Sequence, residues 1–94
     1  MIEGLDPVIH STKRLAAMAI LASAPSVSFR FLRERLEISD SDLSKQMSTL
    51  EAAGYVRSAK DGYGRGASTT YAMTKEGRQA YRSHCEALRR LIDG

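Results

Sequence analysis

The stretch Ile38-Ser-Asp-Ser-Asp-Leu-Ser-Lys-Gln-Met-Ser-Thr-Leu-Glu-Ala-Ala-Gly-Tyr-Val56 carries a helix start, an amphipathic helix and a helix stop in a single run. Ile38-Ser39-Asp40 is a tight connection. Ser39 or Asp40 can cap the next helix, because a short side-chain oxygen accepts from the free amides of a first helical turn. That helix is expected over about 39–53. Gly54 sits where a left-handed residue closes a helix C-terminus. At about 100° per residue, Leu43, Met47 and Leu50 form the buried stripe, and Ser41, Ser44, Lys45, Ser48, Thr49 and Ala52 gather on the opposite face. That outer face is short, hydrogen-bonding and carries one cation.

Downstream the period changes. Tyr55 to Lys60 and Thr69 to Met73 are β-prone runs, separated by Asp61-Gly62-Tyr63-Gly64-Arg65-Gly66-Ala67-Ser68. The glycines mark a hairpin loop. Thr74 can cap a last helix over about 75–93, whose apolar positions Tyr81, Cys85, Leu88 and Ile92, with Leu91 beside them, form one stripe. The helix is expected to continue despite Gly77.

Upstream, Asp6-Pro7 reads as a cap followed by proline at a first helical position, opening a short turn through Val8, Ile9 and His10. Ser11 is a second expected cap. Thr12 to Ser23 reads as a helix that is apolar nearly all round, hence central and buried; Pro25 ends it. Ser26-Val27-Ser28 suits a small edge strand that pairs elsewhere. Phe29 to Glu37 reads as a helix with Phe29, Leu32 and Leu36 on one face. Phe31 does not fit that stripe.

The order is helix, short strand, helix, tight turn, helix, hairpin, helix. The expected class is mainly α with a small β-hairpin, in one domain spanning 1–94. The hairpin takes about 55–73 and the terminal segment about 74–93. Two helices joined by a tight turn form a helix-turn-helix, and a hairpin directly after the second makes it winged. If the buried stripe of helix 39–53 packs on its neighbours, its outer face is free to enter a DNA major groove. Short side chains there permit close approach to base edges, and Lys45 reaches a phosphate or a guanine. Lys60, Arg65 and Ser68 are placed by the wing to hold the backbone, with Arg65 able to enter a narrow minor groove.

Charge distribution agrees. The net charge is +3 over 94 residues, but residues 55–82 hold six basic side chains against Asp61 and Glu76. A basic stretch favours a polyanion; its alternative is a solvated charged face. One cysteine forms no internal disulfide and supplies no multi-cysteine zinc site. The longest apolar run, Leu15 to Ala22, is far short of the roughly 20 residues of a membrane span. No charged and apolar leader opens the chain, so a cytoplasmic location and no membrane partner are expected. No hydrolase elbow, zinc-protease motif, phosphate loop or carboxylate pair is present, so no enzyme, metal or cofactor is expected. His84 and Cys85 point about 100° apart on a helix, which suits neither a metal pair nor a catalytic pair.

The run Leu5-Asp-Pro-Val-Ile-His-Ser-Thr-Lys-Arg-Leu15 resembles the opening of small winged-helix transcriptional regulators of the MarR/ArsR-like superfamily. Ile38 to Val56 resembles their recognition helix and its Leu-Glu-x-x-Gly-Tyr-Val ending. Thr69-Thr-Tyr-Ala-Met-Thr-Lys-Glu-Gly-Arg78 resembles their returning wing strand and last-helix start, with Met73 in a leucine position. The resemblance implies a dimeric DNA-binding repressor or activator. It places Ser41, Ser44, Lys45 and Ser48 on DNA and Arg65 in the wing. Many relatives carry Arg-Pro-Arg in the wing where this chain has Arg65-Gly66-Ala67.

The last helix needs a surface for its stripe. A second copy of the chain would cover Tyr81, Cys85, Leu88, Leu91 and Ile92, with Ile2, Leu5, Val8 and Ile9 of the N-terminal arm. The alternative is that the stripe folds back on helix 12–23. Twofold pairing sets two recognition helices about one DNA turn apart, ~34 Å, on a pseudo-palindromic operator. A competing reading is a winged-helix protein-interaction module that never touches DNA. A small-molecule effector at the dimer interface is compatible with the sequence, which identifies none.

Overall fold

The computed structural model describes residues 3–62 and 68–94. Its first turn is built as the sequence implies. The Asp6 Oδ1 accepts from the Val8 amide at 2.8 Å and the Ile9 amide at 3.3 Å, while Pro7 has no amide to satisfy. The turn drives Ile9 into the core with no exposed surface. This corrects the expectation that Ile9 joins a dimer interface, because its whole side chain is used inside its own chain. Val8 packs against the same core.

Helix α1 (Thr12–Ala22) buries Ala17, Met18 and Leu21, while Ala19 is exposed. It is therefore buried on one face, not all round. Ser11 precedes it in extended backbone without a side-chain cap bond; its carbonyl accepts from the Leu15 amide. The strand β1 (Val27–Ser28) does pair elsewhere, with β3 (Ser68–Met73), in the register Val27↔Tyr71 and Ser28↔Thr70.

Helix α2 (Phe29–Leu36) is capped by Ser28, whose Oγ accepts from the Phe31 amide at 3.0 Å. It stops one residue earlier than the spacing predicts, because Glu37 adopts left-handed backbone at φ 55°. Phe31 is 41% exposed, and the Arg35 guanidinium lies 4.9 Å from its ring centroid. An aromatic outside the buried stripe is thus covered by a cation on the helix surface.

Helix α3 (Asp40–Ala52) begins at Ser39, whose Oγ accepts from the Asp42 amide at 3.1 Å. At its far end the Tyr55 amide reaches the Leu50 carbonyl and the Gly54 amide reaches that of Glu51. This paired closure needs a positive φ at the turning residue, and Gly54 supplies 82°. The strand β2 (Val56–Asp61) then pairs antiparallel with β3 from Val56↔Met73 to Asp61↔Ser68, giving the sheet order β1-β3-β2. β2 is an edge strand exposed beyond Val56.

Helix α4 (Lys75–Asp93) starts at Thr74, whose Oγ1 accepts from the Gly77 amide at 2.9 Å and donates to the Gly54 carbonyl at 2.6 Å. This clamp explains Gly77. A Cβ there would lie 2.0 Å from the Tyr55 carbonyl oxygen, so the first turn of α4 touches the end of the Gly54 turn backbone to backbone.

The core lies between α1, α2, α3 and one face of the sheet, around Met18, Leu21, Leu32, Leu43, Leu50 and Val56. The principal extents are 50 × 25 × 21 Å, and α4 is the longest helix at 19 residues. Among the described residues no helix is long and apolar enough to cross a membrane.

Candidate nucleic-acid interface

The buried stripe of α3 is the expected one: Leu43, Met47 and Leu50 have essentially no exposed surface. Its opposite face is therefore outward. Ser41, Ser44, Lys45 and Ser48 are exposed and Thr49 is half-buried. The Thr49 hydroxyl already donates to the Lys45 carbonyl at 3.1 Å, leaving its oxygen lone pairs for an outside donor. Lys60 on β2 and Ser68 at the start of β3 are both exposed. They sit at the far end of the hairpin, where Lys60 faces Thr69 and Asp61 faces Ser68. Arg65 lies outside the described residues. The fold thus brings together the α3 face and places Lys60 and Ser68 on the hairpin after it.

The acidic residues of α3 are held by partners. The Lys13 ammonium of α1 reaches Asp42 Oδ2 at 2.5 Å, and the Arg33 guanidinium of α2 reaches Asp40 at 3.0 Å. Glu51 accepts from the Ser58 hydroxyl at 3.0 Å. Hydrogen bonds from Gln46 and Lys13 hold the Asp42 carboxyl below its ordinary range, outweighing desolvation, with the Lys13 and Lys45 charges helping. Both aspartates also sit in the first turn of α3, where the helix dipole favours negative charge. Each aspartate thus has a cation within reach, which offsets part of the negative charge near Lys45.

Gln46 is not evident from periodicity, yet it orients the helix. It is buried. Its Oε1 accepts from Arg14 Nη1 at 2.7 Å, and its Nε2 donates to Asp42 Oδ1 at 2.9 Å. Arg14 Nε in turn donates to the Val8 carbonyl. A polar chain therefore runs from the N-terminal turn through α1 to α3. The Asp42–Gln46 spacing of i, i+4 is its one readable trace in the sequence.

The N-terminal segment is also tied to α4. The Asp6 amide donates to His84 Nδ1 at 3.0 Å, and Asp6 Oδ2 accepts from the Tyr55 hydroxyl at 2.5 Å. Burial opposes the Asp6 charge, but the Tyr55, Val8 and Ile9 donors outweigh it and His84 adds to them, so its pKa lies below the ordinary value. His84 is fully buried. Sequence reasoning misses this because the contact joins residues far apart in the chain. Of the expected dimer residues, Leu5, Val8, Tyr81, Cys85, Leu88 and Leu91 are half-buried and Ile92 is 74% exposed. Ile2 lies outside the described residues. Among the described residues no cluster of three or more His, Cys, Asp or Glu is arranged to hold a metal ion.

A family model described as a winged helix DNA-binding domain matches residues 13–92. An uncharacterized protein of Methanocaldococcus jannaschii is 25% identical over 84 residues, covering 89% of this chain and 91% of that protein. Among solved structures, a transcriptional regulator homologue from Pyrococcus horikoshii superposes with a TM-score of 0.85 at 22% identity, covering 93% of this chain and 86% of the other. The PcaV transcriptional regulator of Streptomyces coelicolor, solved with its natural ligand, gives 0.76 at 20% identity over 95% of this chain and 62% of its own. At such identities these structures show a common fold. With the helix-turn-helix, the three-stranded sheet and the matched model in agreement, the chain belongs to the winged helix DNA-binding domain family.

Proposed function

We propose that this protein is a sequence-specific DNA-binding transcriptional regulator that acts as a homodimer on a pseudo-palindromic operator. One observation carries the reading: α3 turns an unobstructed face of Ser41, Ser44, Lys45 and Ser48 to solvent while its acids are engaged with Lys13, Arg33 and Ser58. In this role α3 reads base edges, and Thr49, Lys60, Arg65 and Ser68 grip the backbone or minor groove. Pairing through α4 around Leu88, Leu91 and Ile92, with Tyr81, Cys85, Leu5 and Val8 nearby, supplies the twofold axis. The transcriptional regulators of the same fold support the regulatory role.

The test is duplex binding by fluorescence anisotropy across a salt series, with light scattering for mass. A dimer whose affinity falls steeply with salt is expected, because neutralised phosphates release counterions. Lys45→Ala should weaken binding and, if Lys45 contacts phosphate, lower the salt slope by about one. No binding to a random duplex pool at low salt would reject the DNA reading in favour of a protein-interaction module. An unchanged slope and affinity in Lys45→Ala would remove Lys45 from the interface.

A further inference from the structure

His84 is a fully buried histidine that the DNA-binding face does not use. Its hydrogen-bond polarity is constrained. Because Nδ1 accepts from the Asp6 amide at 3.0 Å, the ring proton of a neutral His84 must be on Nε2. That Nε2 lies 3.4 Å from His10 Nδ1, and the two rings are 5.2 Å apart. The only arrangement without facing donors has His84 Nε2–H donating to His10 Nδ1, which leaves the His10 proton on Nε2. The chain of donors therefore runs one way, from the Asp6 amide through His84 to His10.

From this geometry we propose that His84 and His10 form a pH-sensitive latch, which holds the N-terminal turn against α4 only while both rings are uncharged. An imidazolium has two donors and no acceptor. A proton on His84 puts an N–H at Nδ1, facing the Asp6 amide. A proton on His10 puts an N–H at its Nδ1, facing His84 Nε2–H. His84 can then accept only by moving its own proton to Nδ1, which again faces Asp6. Either protonation breaks a bond between the turn and α4.

The groups around the pair set the direction of the effect. Burial pushes the His84 pKa down, the nearby His10 charge pushes the same way, and the Asp6 carboxylate opposes them. That carboxylate is already engaged by the Tyr55 hydroxyl and the Val8 and Ile9 amides. Arg14 of α1 adds a cation on the same turn through the Val8 carbonyl. On α4, Tyr81 precedes His84 by about one turn. Arg14 also holds Gln46, so the turn and α3 share this one cation.

The experiment is nuclear magnetic resonance on the isotope-labelled full chain, independent of any DNA. At about pH 7.5 the ring nitrogens of His84 should report Nδ1 bare and Nε2 protonated. Between about pH 7.5 and 5.5, the range in which histidines titrate, the hydrogen-exchange protection factor of the Asp6 amide should fall by about tenfold or more. The core Leu50 amide, which opens only on global unfolding, should stay well above Asp6 in protection throughout. His84→Asn keeps an amide oxygen near the Nδ1 position without a titratable ring, and should make Asp6 protection independent of pH. A protonated Nδ1 on His84 at pH 7.5 would overturn the latch, and this measurement needs only the wild-type chain. So would Asp6 protection that does not change, or that equals the protection of Leu50 across the range, which would place Asp6 exchange in global unfolding.

Discussion

Gly77 and His84 show how a single residue can be decided by a neighbour remote in sequence. Gly77 costs helix propensity, roughly 1 kcal/mol relative to alanine in an exposed helix. In the fold it is required, because its Cβ would meet the Tyr55 carbonyl at 2.0 Å, with the Tyr55 carbonyl carbon and Cα also within 3 Å. The obstacle is backbone and cannot rotate away. Gly77→Ala should therefore destabilise the protein, against its helix propensity, by about 3 kcal/mol. Thermal unfolding should show a loss of more than about 10 °C. A melting temperature equal to or above that of the wild type would mean the α4 start can move away from the Gly54 turn without cost. His84 makes the same point for polarity. A histidine next to a cysteine in a helix gives no hint that its ring receives the amide of Asp6.

At the scale of elements, α3 is the part of the molecule most fully legible in the sequence. Its cap, stripe, outer face and glycine stop are local properties, and each is found where the sequence places it. Its first turn carries Asp40 and Asp42, and the Ser39 side chain ties down that turn's Asp42 amide. Ser39→Ala should cost about 1 kcal/mol, and the first turn of α3 should fray. Amide exchange at Asp42 and Leu43 should rise before global unfolding; unchanged exchange there would show that Lys13 and Arg33 suffice to hold the turn. The two strands of the hairpin are as legible as α3, while the sheet's remaining strand is readable only as a short edge segment that needs a partner. Val27–Ser28 becomes a strand because Thr70 and Tyr71 offer it a partner. Helix α4 is legible as an amphipathic element, and the partners of its faces are not. The side carrying His84 and Ala87 is buried, with Gly4 lying against Ala87. Ile92 is left outside.

At the scale of the whole molecule, assembly and the pH dependence of stability are open to measurement. If α4 pairs with a second copy around its distal end, Leu88→Glu with Ile92→Glu should convert the dimer to monomer in light scattering. Neither residue is among the core of the domain, so the circular dichroism spectrum should be retained. A persistent dimer would place the interface elsewhere. For pH, the folded protein holds His84 below its ordinary value of 6.5. As the pH falls through about 6.5, the unfolded chain takes up a proton that the folded chain resists, so the unfolded state binds more protons and stability declines. Above that value the contribution is fully present. Asp6, also depressed, adds a second loss as the pH falls below its ordinary 3.8. Urea unfolding between pH 5 and 7.5 should show this decline, and His84→Asn should flatten it. A stability that rises on acidification through that range would contradict the assigned state of His84.

The element order, most of the helix caps, the winged-helix architecture and the outward face of α3 are all written in the chain itself. They depend on hydrophobic period, cap chemistry and turn residues, which act over a few neighbouring positions. Folding in three dimensions was needed to assign Ile9 to the core, to bury α1 on one face, and to make glycine obligatory at position 77. The same holds for the chain from Val8 through Arg14 to Gln46, and for the Asp6–His84–His10 contact. Those features join residues separated by up to 78 positions. Such contacts arise when packed elements bring distant donors and acceptors within about 3 Å, and no local pattern encodes that meeting.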